Sequence, residues 1–373
     1  MTDYRGLTWD HPRGRVALET TARAFSSSGL DTLTWDAHPL EGFESAPIAE
    51  TAARYDLVVL DHPHLGDALE ADCIVPLDEL FDAGTIDGWA RASIGPSLDS
   101  YVVDGRAWAL PLDAATQVSA RREGEVPEAP ADWDAVRTLA RSGGVAPSLA
   151  GPHAFLSLCS IAVAAGGDRG EDVVAADAWD LAIDVLADLA AHAPEGTLEQ
   201  NPIALLERMS AGDDLRYVPL VYGYVSYSRR SGGRHVTFAA PPAIDGRIGS
   251  TLGGTGIAIT RRSTPSPALL AHVAWLLSDE AQRLRIPALE GQPSSRAAWH
   301  DPDVDAAAGG FYGATAATIE SAWVRPRFAG YVPVQTAASA LVRDAVAGRI
   351  AAREAHERVA GLLRTARTTG AHA

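Results

Sequence analysis

DLVVLDHP (56–63) holds four consecutive apolar residues, Leu57 to Leu60, and then turns polar at Asp61, His62 and Pro63. A short apolar run bounded by turn residues suits a strand buried on both faces, as in a parallel sheet. The segments before it alternate in kind. GLTW (6–9) reads as a strand, RVALETTARAF (15–25) as a helix, DTLTWDA (31–37) as a strand and SAPIAETAARY (45–55) as a helix. Strand and helix in alternation predict an α/β architecture. In such sheets ligands collect at the carboxyl ends of the strands. Two of these strands end in the same tripeptide, Asp10-His11-Pro12 and Asp61-His62-Pro63. The pattern predicts two similar tips that could meet at one crevice.

Further along, VVDGRAWAL (102–110) predicts a hairpin with Asp104-Gly105 at its turn. ALPLD (109–113) leaves it as an extended segment. APADWDAVRTLAR (129–141) predicts a helix capped by Asp132, and AWDLAIDVLADLAAH (178–192) a second amphipathic helix. RYVPLVYGYVSYS (216–228) reads as a strand, STLGGTGIAIT (250–260) as a glycine turn entering a strand, and SPALLAHVAWLLSDEAQRLRI (266–286) as one long helix.

The chain has 373 residues, long enough for two domains with separate cores. Its formal charge is −17, which disfavours nucleic acid and anionic membrane surfaces as partners. All 31 cationic Lys/Arg positions are arginine, so lysine Schiff-base chemistry is excluded. Cys73 and Cys159 lie far apart, without the spacing of a zinc or redox motif. No stretch is long and apolar enough to span a bilayer. The opening MTDYRGLTWDHPRG shows neither the pattern of an export signal nor a lipid-bearing cysteine. As written it predicts a cytoplasmic protein, extracytoplasmic only if the true start lies upstream.

Four segments in register resemble the extracellular solute-binding proteins of ABC importers, family 1, the sugar-binder type. They are YVVDGRAWALPLDAATQV (101–118), APADWDAVRTLAR (129–141), FAAPPAIDGRIGSTLGGTGIAITRRSTPSPALLAHVAWLLSDEAQRL (238–284) and GQPSSRAAWHDPDV (291–304). The resemblance runs from about residue 5 to 366 and implies a two-lobed periplasmic-binding-protein-like fold, type II, with the ligand cleft between lobes. It implies crossings near 111–115, 250–255 and 300–310. The first lobe would comprise 1–112 and 253–302, the second 113–252 and 303–373. The function implied is capture of a small polar molecule, a sugar or a carboxylate, by hinge closure. An ABC permease is the implied partner if the chain is exported. No cofactor is implied.

Candidate ligand contacts follow from residue chemistry. Arg13 suits a carboxylate or phosphate through its forked donors. Asp10 could touch ligand beside it or cap the helix that follows. His11 is either a contact or a turn residue, and Trp9 either core or an aromatic platform. Asp61 and His62 form the second tip. With His64 they could be read as metal ligands, but a turn explains the spacing equally well and no metal is assigned. Asp113 and Thr116 lie in the crossing segment; for Asp113 a hinge hydrogen bond is the other reading. His153 in GPHAF (151–155) comes from the second lobe or merely enters a helix. Tyr222 and Tyr224 share a strand face, with Tyr227 on the other. Gly254 and Thr255 in LGGTG (252–256) could offer backbone N–H groups, and Arg327 is a weaker candidate. LGGTG precedes a strand, so it is not a dinucleotide fingerprint.

The alternative is a cytoplasmic enzyme on the same fold: a lyase, isomerase or hydrolase of a small carboxylate or acyl compound. Its acid–base groups would be His11, His62, Asp10 and Asp61. No nucleophile elbow appears, and Cys159 sits in the apolar run FLSLCSIAVAA (155–165).

Overall fold

The computed structural model describes residues 1–167, 175–212, 214–230 and 235–370. A mixed sheet of seven strands runs through both halves of the molecule. β1 (Asp3–Trp9) lies parallel to β2 (Thr32–His38) and to β3 (Leu57–Leu60). Between them α1 (Pro12–Ser27) forms the first crossover helix. β3 is buried at all four residues, as the apolar run requires.

β4 (Val102–Val103) and β5 (Arg106–Ala107) make the expected hairpin. Its turn places Asp104 at φ +52° and Gly105 at φ +75°, the two left-handed positions of a type I′ turn. The chain then enters β6 (Leu110–Arg121), twelve residues of which eleven are buried. β6 links the two halves. Leu110 to Thr116 pair with β9 (Leu252–Ile259). Gln117 to Arg121 pair instead with β7 (Tyr217–Tyr222) and β8 (Thr237–Ala239). The change of partner falls just beyond the crossing expected at 111–115.

Each half has its own core. Trp9, Leu18, Leu33, Val59, Leu110 and Ile257 pack in the first lobe. In the second, helix His153–Ala164 is buried on every side and meets Trp133, Trp179 and Tyr331. A helix that is apolar all round belongs in the middle of a lobe. Among the described residues no helix is long and apolar enough to cross a membrane.

The elements depart from expectation at four places. The helix expected over 45–55 is shorter, Ile48–Ala52, and is preceded by a separate, unexpected helix, Leu40–Ser45. Pro47 forces the break between them by pushing Ala46 to ψ 138°. The strand expected over 216–228 ends at Tyr222, and Val225–Ser228 is a helical turn. The helix expected over 266–286 stops at Leu276, and a separate wide turn covers Ala281–Arg285. The Ser278 hydroxyl accepts from the Ala281 N–H and starts that second element. LGGTG is not a turn but the first residues of β9.

Candidate functional site

Because β1 and β3 are parallel neighbours, their carboxyl ends reach the same edge of the sheet. The two Asp-His-Pro tips both start helices there, but with different caps. At the first, His11 is the cap, and its Nδ1 accepts from the Arg13 N–H at 3.1 Å. At the second, Asp61 is the cap and accepts from the His62 N–H at 2.9 Å. The one-residue slip decides which side chain faces inward.

At the first tip Arg13 turns inward. Its guanidinium donates to both carboxylate oxygens of Asp113, Nε to Oδ2 at 2.7 Å and Nη2 to Oδ1 at 2.5 Å. Nη1 donates to the Gly223 carbonyl at 3.1 Å, and the group lies 4.7 Å from the centre of the Tyr224 ring. Burial alone would lower the Arg13 pKa, but the Asp113 charge and its hydrogen bonds, with the nearby tyrosines, together raise it and keep the group cationic. His11 sits edge-on to Tyr224 at 4.9 Å. Burial, and then the Arg13 charge, lower its pKa to about 4. A neutral ring is what an accepting Nδ1 requires.

At the second tip Asp61 accepts from Arg325 Nη2 at 2.6 Å. Burial pushes this carboxyl up, yet the Arg325 charge, the His62 ring and the Arg325 hydrogen bond together hold it below the ordinary range. His62 is fully buried, with Nδ1 3.2 Å from Asp61 Oδ1 and its ring edge-on to Tyr101. Its pKa falls to about 4 through burial and the Arg325 charge.

Between the tips and the second lobe lies a narrow cleft of about 60 Å³. Its first-lobe wall is Trp9, Arg13, Leu40, Phe43 and Asp61. Its floor is Ala115 on β6 with Gly253, Gly254 and Thr255 on β9. Its second-lobe wall is His153, Pro202, Tyr222 and Tyr224. Aromatic rings face it from both lobes, with Trp9 and Phe43 centred 5.4 Å apart. Gly14 permits this arrangement, since a Cβ there would come within 2.3 Å of the Trp9 indole. Gly254 sits at φ +90°, and a Cβ on it would meet the Asp113 carbonyl oxygen at 2.5 Å.

Of the candidates read from the sequence, the structure gathers Trp9, Arg13, Asp61, His153, Tyr222, Tyr224, Gly254 and Thr255 on this cleft. His11 touches it through Tyr224. Asp10, His62, Asp113, Thr116 and the weaker candidate Arg327 lie elsewhere. Asp10 neither caps α1 nor faces inward; its side chain is 55% exposed, 3.4 Å from Arg15. His62 packs behind the second tip. Asp113 stands behind Arg13. Thr116 bonds to the Ser250 hydroxyl and, at 3.2 Å, to the Thr251 carbonyl. The four acid–base groups of the enzyme reading therefore do not share one chamber. Tyr227 donates to the Ile203 carbonyl, and Arg327 to the carbonyls of Asp99 and Val102. Cys159 is buried, and burial raises its pKa. Among the described residues no three His, Cys, Asp or Glu side chains gather as a metal site needs.

Sequence reasoning did not find Leu40, Phe43, Ala115, Pro202, Gly253 or Arg325. Arg325 carried a signal, since it stands two residues before Arg327 in VRPR (324–327). Phe43 also carried one, as an aromatic just past the end of β2.

No family model and no curated protein matches the chain. Solved structures do. Maltose-bound MalE3 of T. maritima superposes with a TM-score of 0.80 at 19% identity, over 98% of this chain and 100% of that one. An ABC transporter solute-binding protein of Agrobacterium radiobacter K84, in complex with ribitol, gives 0.81 at 19% identity over 98% of each chain. A solute-binding protein of Agrobacterium vitis S4 with bound D-mannitol gives 0.76 at 19% identity over 99% of each. The chain thus has the two-lobed, MalE-like periplasmic-binding-protein fold.

Proposed function

We propose that this protein is a solute-binding protein that captures a sugar or a polyol between its lobes, and that an ABC permease is its partner. The observation that carries the reading is the cleft itself. It sits at the strand ends, is walled by Trp9 and Phe43 from one lobe and by Tyr222 and Tyr224 from the other, and is floored by the strands that join them. Aromatic faces pack against the C–H surfaces of a polyhydroxylated ligand, while Thr255, His153 and the tyrosine hydroxyls supply neutral hydrogen-bonding groups. The three similar structures were solved with maltose, ribitol and D-mannitol, which supports the same ligand class here.

Titration calorimetry of the full chain against ribitol, D-mannitol and maltose tests the reading. Saturable one-to-one binding of one of them, with a raised melting temperature and the compound recovered unchanged, is expected. No binding across such a panel would overturn it.

A further inference from the structure

Resting on that reading, we propose that the cleft is specific for uncharged ligands, and that Asp113 and Arg325 are the residues that make it so. Two formal charges line the cleft, Arg13 and Asp61. Each has its counter-ion outside the lining. Asp113, 4% exposed, holds Arg13 through two hydrogen bonds. Arg325, 3% exposed, holds Asp61 at 2.6 Å. Arg13 Nη1 is committed to Gly223 and Arg325 Nη1 to Gln335 at 3.3 Å, while Arg325 Nε, outside the cleft lining, has no hydrogen-bond partner among the described residues. The cleft therefore presents charge-bearing side chains whose charges are already answered from behind.

The polar capacity left over is neutral in its major part. The Thr255 hydroxyl, 6% exposed, lines the cleft without a side-chain hydrogen bond among the described residues. The Tyr331 hydroxyl, near Arg325, also lacks a hydrogen-bond partner among the described residues, but it is fully buried behind the cleft lining. A ligand hydroxyl satisfies a group such as Thr255 at no electrostatic cost. A carboxylate or ammonium would lose its hydration and find no free counter-charge, and removing a charge from water without a partner is unfavourable. Selection against charge thus comes from residues the ligand does not touch.

The experiment is titration of the full chain with D-mannitol, gluconate and glucosamine. Wild type should bind mannitol at least about 100-fold more tightly than either charged sugar. Asp113→Asn keeps the shape of the pair but leaves the Arg13 charge open, so gluconate affinity should rise about tenfold or more. Arg325→Gln leaves Asp61 open and should favour glucosamine by a similar factor. Asp61→Asn, at a side chain 20% exposed, frees Arg325 and repeats the gluconate test should Asp113→Asn fail to fold. Gluconate or glucosamine binding to wild type as tightly as mannitol would overturn the inference while leaving the solute-binding reading intact. So would folded variants whose charge preference does not move. Absence of binding by any of the three, together with ribitol and maltose, would overturn the solute-binding reading and this inference with it.

Discussion

The guanidinium of Arg13 and the carboxylate of Asp113 form a forked pair between α1 and the strand that joins the lobes, with both side chains at most 5% exposed. Arg13 also reaches the Gly223 carbonyl and the Tyr224 ring, so the same side chain touches both lobes. Removing one partner leaves the other charge buried. Arg13→Ala is expected to cost about 3–5 kcal/mol of stability, whereas Arg13→Met with Asp113→Leu should recover most of it. Urea unfolding reads the difference as a shift of midpoint at constant slope. Equal losses in the single and the double variant would show that the pair is not the source.

The aromatic wall separates packing from recognition. Trp9 is 3% exposed and belongs to the first-lobe core, so Trp9→Ala should cost about 3–5 kcal/mol in stability. Phe43 is only half-buried and stands at the edge of the same core. Phe43→Ala is expected to weaken mannitol binding roughly tenfold while shifting the melting temperature by no more than a few degrees. Calorimetric titration beside a thermal melt decides this. An unchanged affinity would remove Phe43 from the binding surface.

How far the sequence carried these conclusions differs by level. The buried run at Leu57–Leu60, the type I′ hairpin and the capped helix at Asp132 are local in cause, and each formed where its residues predicted. The three boundaries that moved lie near Pro47, Gly223 and Ser278; Pro47 breaks the helix before it, and the Ser278 hydroxyl starts a new element after Leu276. The site was less legible. Asp10-His11-Pro12 and Asp61-His62-Pro63 are identical in sequence, yet their side chains point differently because His11 caps one helix and Asp61 the other. Arg325 lies 264 residues from Asp61, and only the folded topology brings them together.

The floor of the cleft depends on one backbone conformation. Gly254 sits at φ +90° with the Asp113 carbonyl too close for a Cβ. Gly254→Ala must strain the backbone or separate β6 from β9, at a cost of about 1–3 kcal/mol or more. Because those strands join the lobes, the same change should weaken mannitol binding beyond its effect on stability. Parallel denaturation and titration would show it, and a variant of wild-type stability and affinity would contradict the close packing described.

Acid sensitivity should come from the imidazoles before the carboxylates. His62 is fully buried, and burial with the nearby Arg325 charge lowers its pKa from 6.5 to about 4. The folded chain keeps the ring neutral where the unfolded chain would protonate it. As pH falls below 6.5 the unfolded state takes up the proton first, so stability declines until about pH 4, where the folded state protonates too. That interval corresponds to about 3 kcal/mol for this one group. His153, buried and lowered to about 3, acts in the same direction. Asp61 is held below the ordinary carboxylate value of 3.8, so its contribution is present above that pH and is lost only as pH falls further. The two kinds of group therefore act in separate windows. Denaturation midpoints measured between pH 7 and 4 should fall for wild type and fall less steeply for His62→Gln, whose side chain does not titrate. Parallel curves for the two proteins across that range would mean that His62 titrates alike in the folded and unfolded chains, and that its burial beside Arg325 carries no cost.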